Sequence, residues 1–245
     1  MSKIELNVTG EIIERSMEKV EYFQKVHYQR LNLRRQKRIA TLGVLLNEKT
    51  LLEAGAGIGN HTPFFLDRNC SVTSTDGRAD LVSVIKVRHP SVSTFEWDME
   101  SAPPVQLRPH QVVYCYGLLY HVKNPDFVLG HLAELTLELL LLETCVSFGN
   151  DFAINIVDEY AEDPTQAMSG KGCRPTRRWI FSKLKSLFPY AYVTSTQPWH
   201  EEFPVNWDTN ANLNASLSRS VFVASRQPLS LGSLSDQLLM NQNRC

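Results

Sequence analysis

Between residues 50 and 143 the chain alternates short apolar runs with stretches in which apolar residues recur every three or four positions. Continuous or period-two apolar runs read as strands, and the wider spacing reads as helix. The pattern predicts strands at 50–54, 71–75, 92–96, 111–115 and 138–143, with helices at 61–68, 78–87 and 126–135. Strands alternating with helices signal a mostly parallel sheet covered on both faces. Further on, a helix is predicted at 177–187 and strands at 191–196 and 219–225, with the polar segment 197–218 between those two strands. This last pair is expected to close the sheet as a reversed hairpin. The fold class that follows is α/β: a doubly wound, mostly parallel sheet of seven strands.

Upstream, residues 11–46 read as a long added helix. Ile12, Ile13, Met17, Val20, Phe23, Val26 and Leu31 recur at helical spacing, and neither Pro nor Gly interrupts 11–42. The expected organisation is a helical cap at 1–46, a main domain at 47–226 with an insertion at about 147–214, and a tail at 227–245. The tail is rich in Ser, Leu, Gln and Asn. Two readings of it stay open, a mobile segment or a short docked helix at 234–240. Residues 169–176 hold Gly170, Gly172 and Pro175 and read as a long active-site loop.

Composition narrows this picture modestly. A chain of 245 residues can bury a core that needs no disulfide or metal. Five cysteines without a CxxC pair fit a reducing compartment. The first fourteen residues are mixed and acidic, and the apolar stretch 135–142 is broken by Thr136 and Glu138. No signal segment or membrane span is therefore expected, and a cytoplasmic location is. A net charge of -1 argues against general nucleic-acid binding. Within the first helix, Lys25, Arg30, Arg34, Arg35, Lys37 and Arg38 form either a solvated face or a site for an anionic acceptor or partner.

The chemistry concentrates in Leu51-Leu52-Glu53-Ala54-Gly55-Ala56-Gly57-Ile58-Gly59-Asn60, where a strand ends in an acid and a glycine-rich turn opens a helix. Glycine is needed where the backbone takes φ > 0 or approaches a ligand with no Cβ between. A dinucleotide fingerprint, G-x-G-x-x-G, would demand Gly at position 60, which is Asn60. Asp76 closes the second predicted strand and Asp98 follows the third. Either alone could be a solvated loop acid. Acids at the carboxyl ends of three successive strands instead point to a ligand crevice.

This motif resembles E/D-x-G-x-G-x-G, the first motif of class I, Rossmann-like S-adenosylmethionine (SAM)-dependent methyltransferases of the small-molecule type. The resemblance implies SAM as cofactor, held by Glu53, Gly55, Ala56, Gly57 and Gly59 around its methionine portion, Asp76 at its ribose, and Asp98 and Met99 near its adenine. The segment Tyr116-Gly117-Leu118-Leu119-Tyr120-His121-Val122-Lys123-Asn124-Pro125 is similar to the "LYH…P" segment bordering methyl transfer in that family. It adds Tyr116 and Gly117 to the cofactor set and Tyr120 to the acceptor side. His121 becomes the candidate general base, because a neutral hydroxyl is a poor nucleophile without one. The N/D-P-P-Y motif of nucleobase and glutamine methyltransferases is absent, which argues against DNA and glutamine substrates.

Beyond residue 143 there is only a faint likeness to methyltransferases of sugar hydroxyls. Acceptor-side candidates are Glu143, Arg174, Arg177, Trp199, His200, Glu201 and Glu202, since Trp199 to Pro204 mixes aromatic and hydrogen-bonding groups as carbohydrate sites do. The other reading of that stretch is a surface loop with its Trp packed on the core. Glu143, Glu201 and neighbouring acids are the candidate oxygen ligands for a magnesium ion; zinc is not expected from scattered histidines. The expected function is O-methylation of a hydroxyl on a sugar, oligosaccharide or other small polar molecule. N-methylation of a small amine, an RNA or protein substrate docked on residues 30–38, and a non-catalytic SAM-binding subunit are the rivals.

Overall fold

A computed structural model describes residues 20–208 and 217–245. The first helix is α1 (Val26–Thr41), preceded at 20–23 by one more helical turn. The break between them lies at Gln24 and Lys25, where Lys25 takes an extended ψ of 145°. The continuous helix expected over 11–46 is thus interrupted, and the part before residue 20 lies outside the described residues.

The central layer follows as β1 (Thr50–Ala54), α2 (Thr62–Leu66), β2 (Ser71–Asp76), α3 (Ala79–Arg88), β3 (Ser93–Glu96), β4 (His110–Tyr116), α4 (Pro125–Glu134) and β5 (Thr136–Cys145). A short hairpin, β6 (Ile156–Asp158) and β7 (Lys171–Cys173), precedes α5 (Arg177–Leu187). Then come β8 (Tyr190–Thr194), β9 (Thr196–Gln197), β10 (Arg219–Ser225), β11 (Leu234–Ser235) and β12 (Asn243–Arg244). The helix starts follow local chemistry. Asn124 accepts the Phe127 amide ahead of Pro125 in the first turn of α4, and Thr176 accepts the Trp179 amide at α5.

The large sheet has the order β11-β8-β10-β5-β4-β1-β2-β3. From β3 to β5 it is parallel, and β10 runs antiparallel between β5 and β8. Side chains alternate between its two faces. Leu52, Val113, Leu140, Leu142 and Phe222 enter the core shared with α4 and α5. Leu51, Val112, Tyr114, Leu141 and Val223 enter the core with Leu31, Ile39 and Leu42 of the α1 segment. Continuous apolar runs such as Leu139 to Leu142 are what a strand buried on both faces requires.

Two expectations are corrected here. The sheet has eight strands rather than seven, because the tail neither forms a helix at 234–240 nor stands apart. Leu234 and Ser235 pair with Thr194 and Val193 as an edge strand, and Asn243 and Arg244 pair with β9. Residues 171–173, in the middle of the expected loop at 169–176, form strand β7, paired with β6. No helix among the described residues is long and apolar enough to cross a membrane.

Candidate functional site

The strand order reverses direction between β1 and β4, and a crevice opens at the carboxyl ends of these strands, where open α/β sheets bind ligands. The turn after β1 takes φ of 68°, 59° and 72° at Gly55, Gly57 and Gly59, the left-handed region that costs glycine little. It is anchored sideways to β2: the Ala56 amide donates to the Thr75 carbonyl at 2.8 Å and the Gly57 amide to Asp76 Oδ2 at 2.9 Å. Above the turn lies a cavity of about 170 Å³. Gly55, Ala56, Gly57, Asp76, Asp98 and Met99 line one part of it, and Tyr116, Gly117, Tyr120 and His121 another.

Two expected cofactor residues do not line the cavity. The buried Glu53 carboxylate turns away into the fold and accepts the hydroxyls of Thr62 (2.6 Å) and Ser74 (3.1 Å). Burial pushes its pKa up to about 7 against those two bonds. Gly59 serves packing, since a Cβ there would lie 2.8 Å from the His89 ring. Glu53 and Gly59 therefore shape the turn from behind. Asp76 is at the cavity, with Oδ1 also taking the Arg78 amide at 3.0 Å, and burial lifts its carboxyl to about 6.

His121 ends the 3₁₀ turn after β4, and its Nδ1 lies 2.5 Å from Glu159 Oε2. Glu159 follows β6. Burial works to raise its carboxyl, but the bonds from His121 and the Ala167 amide (2.7 Å) and that from Arg174 (3.1 Å) outweigh it and hold it below the usual range. An ionised carboxylate only accepts, so Nδ1 carries the proton and the Nε2 lone pair is left for other work. Burial depresses the His121 pKa despite Glu159, keeping the ring neutral. Arg174 itself does not line the cavity; it braces this pair and donates to the Tyr120 carbonyl at 3.0 Å.

Beside that dyad lies a buried ion network. Glu143, fully buried on β5, takes Arg35 of α1 on one oxygen and Arg219 of β10 on the other at 3.0 Å. Arg219 continues to Glu202 at 2.5 Å and to the Tyr120 hydroxyl at 3.2 Å. Both arginines line the cavity. Gly117 makes room for Arg35, whose guanidinium is 2.8 Å from where a Cβ would sit. The buried Tyr116 hydroxyl and Arg35 Nε have no hydrogen-bond partner among the described residues.

This network overturns Glu143 as a magnesium ligand, because two guanidiniums already occupy its oxygens. Of the other expected acceptor groups, Tyr120 lines the cavity, whereas Arg174, Arg177, Trp199, His200, Glu201 and Glu202 fall outside its lining. Trp199 is 60% exposed, and Glu201 is paired with Arg30 at the surface. His200 is buried against His27 and Phe203. Donor atoms of His27, His200 and Glu201 do lie within 4.8 Å of one another, yet Arg30 engages that carboxylate with both terminal nitrogens. Arg177 is buried between Ser220 and the Leu239 carbonyl, where it holds the tail.

Sequence reasoning missed Glu159, Arg219 and Arg78, and left Arg35 open between a solvated face and a site for an anionic acceptor or partner. For Arg35 and Arg38 the signal existed. They fall on the stripe of Leu31, Ile39 and Leu42, and all five are buried. Glu159 and Arg219 carried no local signal, since their partners are 38 and 76 positions away.

No protein-family model matches the chain, and no curated protein matches its sequence. Solved structures do match. The N-terminal domain of EvdMO1, crystallised with SAH and D-fucose, is 20% identical, with a TM-score of 0.59 over 80% of this chain and 82% of that one. A putative S-adenosylmethionine-dependent methyltransferase from Listeria monocytogenes is 13% identical, with a TM-score of 0.57 over 80% of this chain and 100% of that one. The 1,6-didemethyltoxoflavin-N1-methyltransferase of Burkholderia thailandensis, with its substrate and S-adenosylhomocysteine, is 14% identical, with a TM-score of 0.54 over 93% and 92%. The fold is that of the class I, Rossmann-like methyltransferases.

Proposed function

We propose that this fold here serves a SAM-dependent methyltransferase that alkylates a hydroxyl of a sugar or other small polar molecule. The residues present fit the cofactor. The glycine turn leaves backbone bare where a Cβ would intrude, and Asp76 and Asp98 border the same cavity. Asp76 suits the ribose hydroxyls, and Asp98, Met99 and Trp97 suit the adenine. Arg35 and Gly117 suit the methionine end, Arg35 offering a cation with a spare donor. SAM bound there supplies a methyl group made electrophilic by its sulfonium.

The observation that carries O-methylation is the His121–Glu159 pair. A neutral imidazole with its Nδ1 proton committed to a buried carboxylate presents a basic Nε2 at the cavity. It can take the hydroxyl proton as the oxygen forms its bond to the methyl carbon and the carbon–sulfur bond breaks. Arg219 and Tyr120 supply donors that hold an acceptor's other oxygens. One similar structure was crystallised in the presence of D-fucose and another has bound 1,6-didemethyltoxoflavin, which supports a small polar acceptor of that size.

N-methylation has its own support in the toxoflavin neighbour, and an amine needs no base once deprotonated. Labelled SAM offered with panels of deoxysugars, polyols and amines separates the two. Methyl ethers whose formation needs His121 are the expected product. N-methylated product at undiminished rate in His121→Ala overturns the hydroxyl reading.

A further inference from the structure

The loop that joins β6 to β7 runs over the cavity, and residues 164–169 belong to its lining. Little apolar burial holds it there; of residues 160–169, Ala167 alone is fully buried. It is held by hydrogen bonds from the cofactor side. Arg78 Nη2 donates to the carbonyl oxygens of Ala161 at 2.8 Å, Asp163 at 3.1 Å and Gln166 at 3.3 Å. The Tyr22 hydroxyl adds a bond to Asp163 Oδ2 at 3.1 Å. Met168 rests against Gly77, where a Cβ would come within 2.5 Å of its sulfur.

The same loop reaches the base. The Ala167 amide donates to Glu159 Oε2, the oxygen that receives the His121 Nδ1 proton. Arg174 takes the other oxygen. With the loop seated, the Glu159 side chain is 2% exposed. Lifting the loop removes one of three donors to that carboxylate and admits water to it. A solvated carboxylate competes less well for the imidazole proton, and the ring is freed to exchange tautomers.

We infer that Arg78 is a positioning residue for the base: it latches residues 160–169 over the cavity, and the latched loop holds Glu159 where it fixes His121. The inference rests on the methyltransferase reading. Arg78 directly follows the Asp76-Gly77 corner, and its own amide bonds Asp76. A ligand settling on that corner therefore stabilises the latch and the base orientation together.

The full chain with S-adenosylhomocysteine as probe tests this, comparing wild type with Arg78→Met and Arg78→Lys. Stopped-flow tryptophan fluorescence reads release of the probe, because Trp97 lines the cavity. Histidine ¹⁵N NMR, with His121→Gln for assignment, reads the tautomer. Arg78→Met should release the probe about 10–100-fold faster, the scale of losing hydrogen bonds to a charged group, and the single Nδ1–H tautomer should be lost. Arg78→Lys, keeping one donor group, should fall between. Unchanged release overturns the latch. Faster release with the Nδ1–H tautomer intact overturns the coupling, leaving Arg78 a cofactor-side contact only. If wild type does not bind the probe, the methyltransferase reading fails, and the tautomer in the free proteins decides the latch: loss in Arg78→Met supports it and retention overturns it.

Discussion

With one proton committed to Glu159, the His121 ring can accept a proton only on Nε2, so its contribution is removable by a single change. His121→Ala should lower turnover by roughly 10²–10⁴-fold, the usual size of a general-base contribution, with S-adenosylhomocysteine affinity nearly unchanged in calorimetry. Burial lowers the His121 pKa, so the neutral form persists below the ordinary value of about 6.5. The rate should climb as pH rises through that lowered value, and the acid limb should vanish in the alanine variant. Asp76 sets a second pH dependence of opposite origin. Its carboxyl, lifted to about 6 by burial, is an ionised acceptor only above that pH. Affinity for S-adenosylhomocysteine should fall as pH drops through 6, while Asp76→Ala should weaken it by about 2–3 kcal/mol at pH 8. An unaltered dissociation constant would make Asp76 only a brace for the turn. Glu53 gives a stability reading. Its folded pKa, raised to about 7, means the folded state holds a proton the unfolded chain releases. That contribution is full below the unfolded value of about 4.3 and is lost as pH rises through 7. Melting of Glu53→Gln should fall less than wild type between pH 5 and 8.

The glycine turn and the tail show how whole elements act. Gly57 has φ 59°, and a Cβ there would lie 3.2 Å from Phe23. Gly57→Val combines backbone strain with intrusion on the cavity floor, and should abolish S-adenosylhomocysteine binding while far-ultraviolet circular dichroism stays native. The tail is part of the sheet rather than an appendage. Gln242 is buried, accepts the Trp207 indole at 2.7 Å and donates to the Thr194 carbonyl at 2.5 Å. Deleting residues 227–245 strips β11 from the sheet edge and orphans those groups, at about 1–3 kcal/mol each. The melting temperature should drop by at least about 5 °C. An unchanged melting curve would show the tail to be dispensable. α1 contributes twice, by burying Leu31 and Ile39 and by delivering Arg35 to Glu143. A buried carboxylate between two guanidiniums is costly to leave half-paired.

For the molecule as a whole, the proposed function predicts binding of SAM and S-adenosylhomocysteine but not NAD, and a calorimetric titration showing NAD binding alone would overturn it. The strand-and-helix pattern was legible because its cause is local. Leu51, Leu52 and Leu139 to Leu142 are apolar without interruption since both faces of a central strand are covered, and Gly55 and Gly57 stand where the backbone turns left-handed. The positions of Asp76 and Asp98 at the cavity follow from strand ends, which periodicity locates, while Tyr120 and His121 were reached through the resemblance of the segment after β4. Other features needed the chain to fold first. Glu159 meets His121 because the β6–β7 hairpin folds back over the end of β4, and Arg219 meets Glu143 because β10 inserts beside β5 in antiparallel register. The carboxylates Glu53 and Glu143 look like ligands in the sequence, but once folded they face Thr62, Ser74, Arg35 and Arg219. Local patterning fixes which segments become strand, turn or helix, because the burial period is written in neighbouring residues. Which charged side chain meets which is decided by topology, because those partners are brought together only by the sheet order.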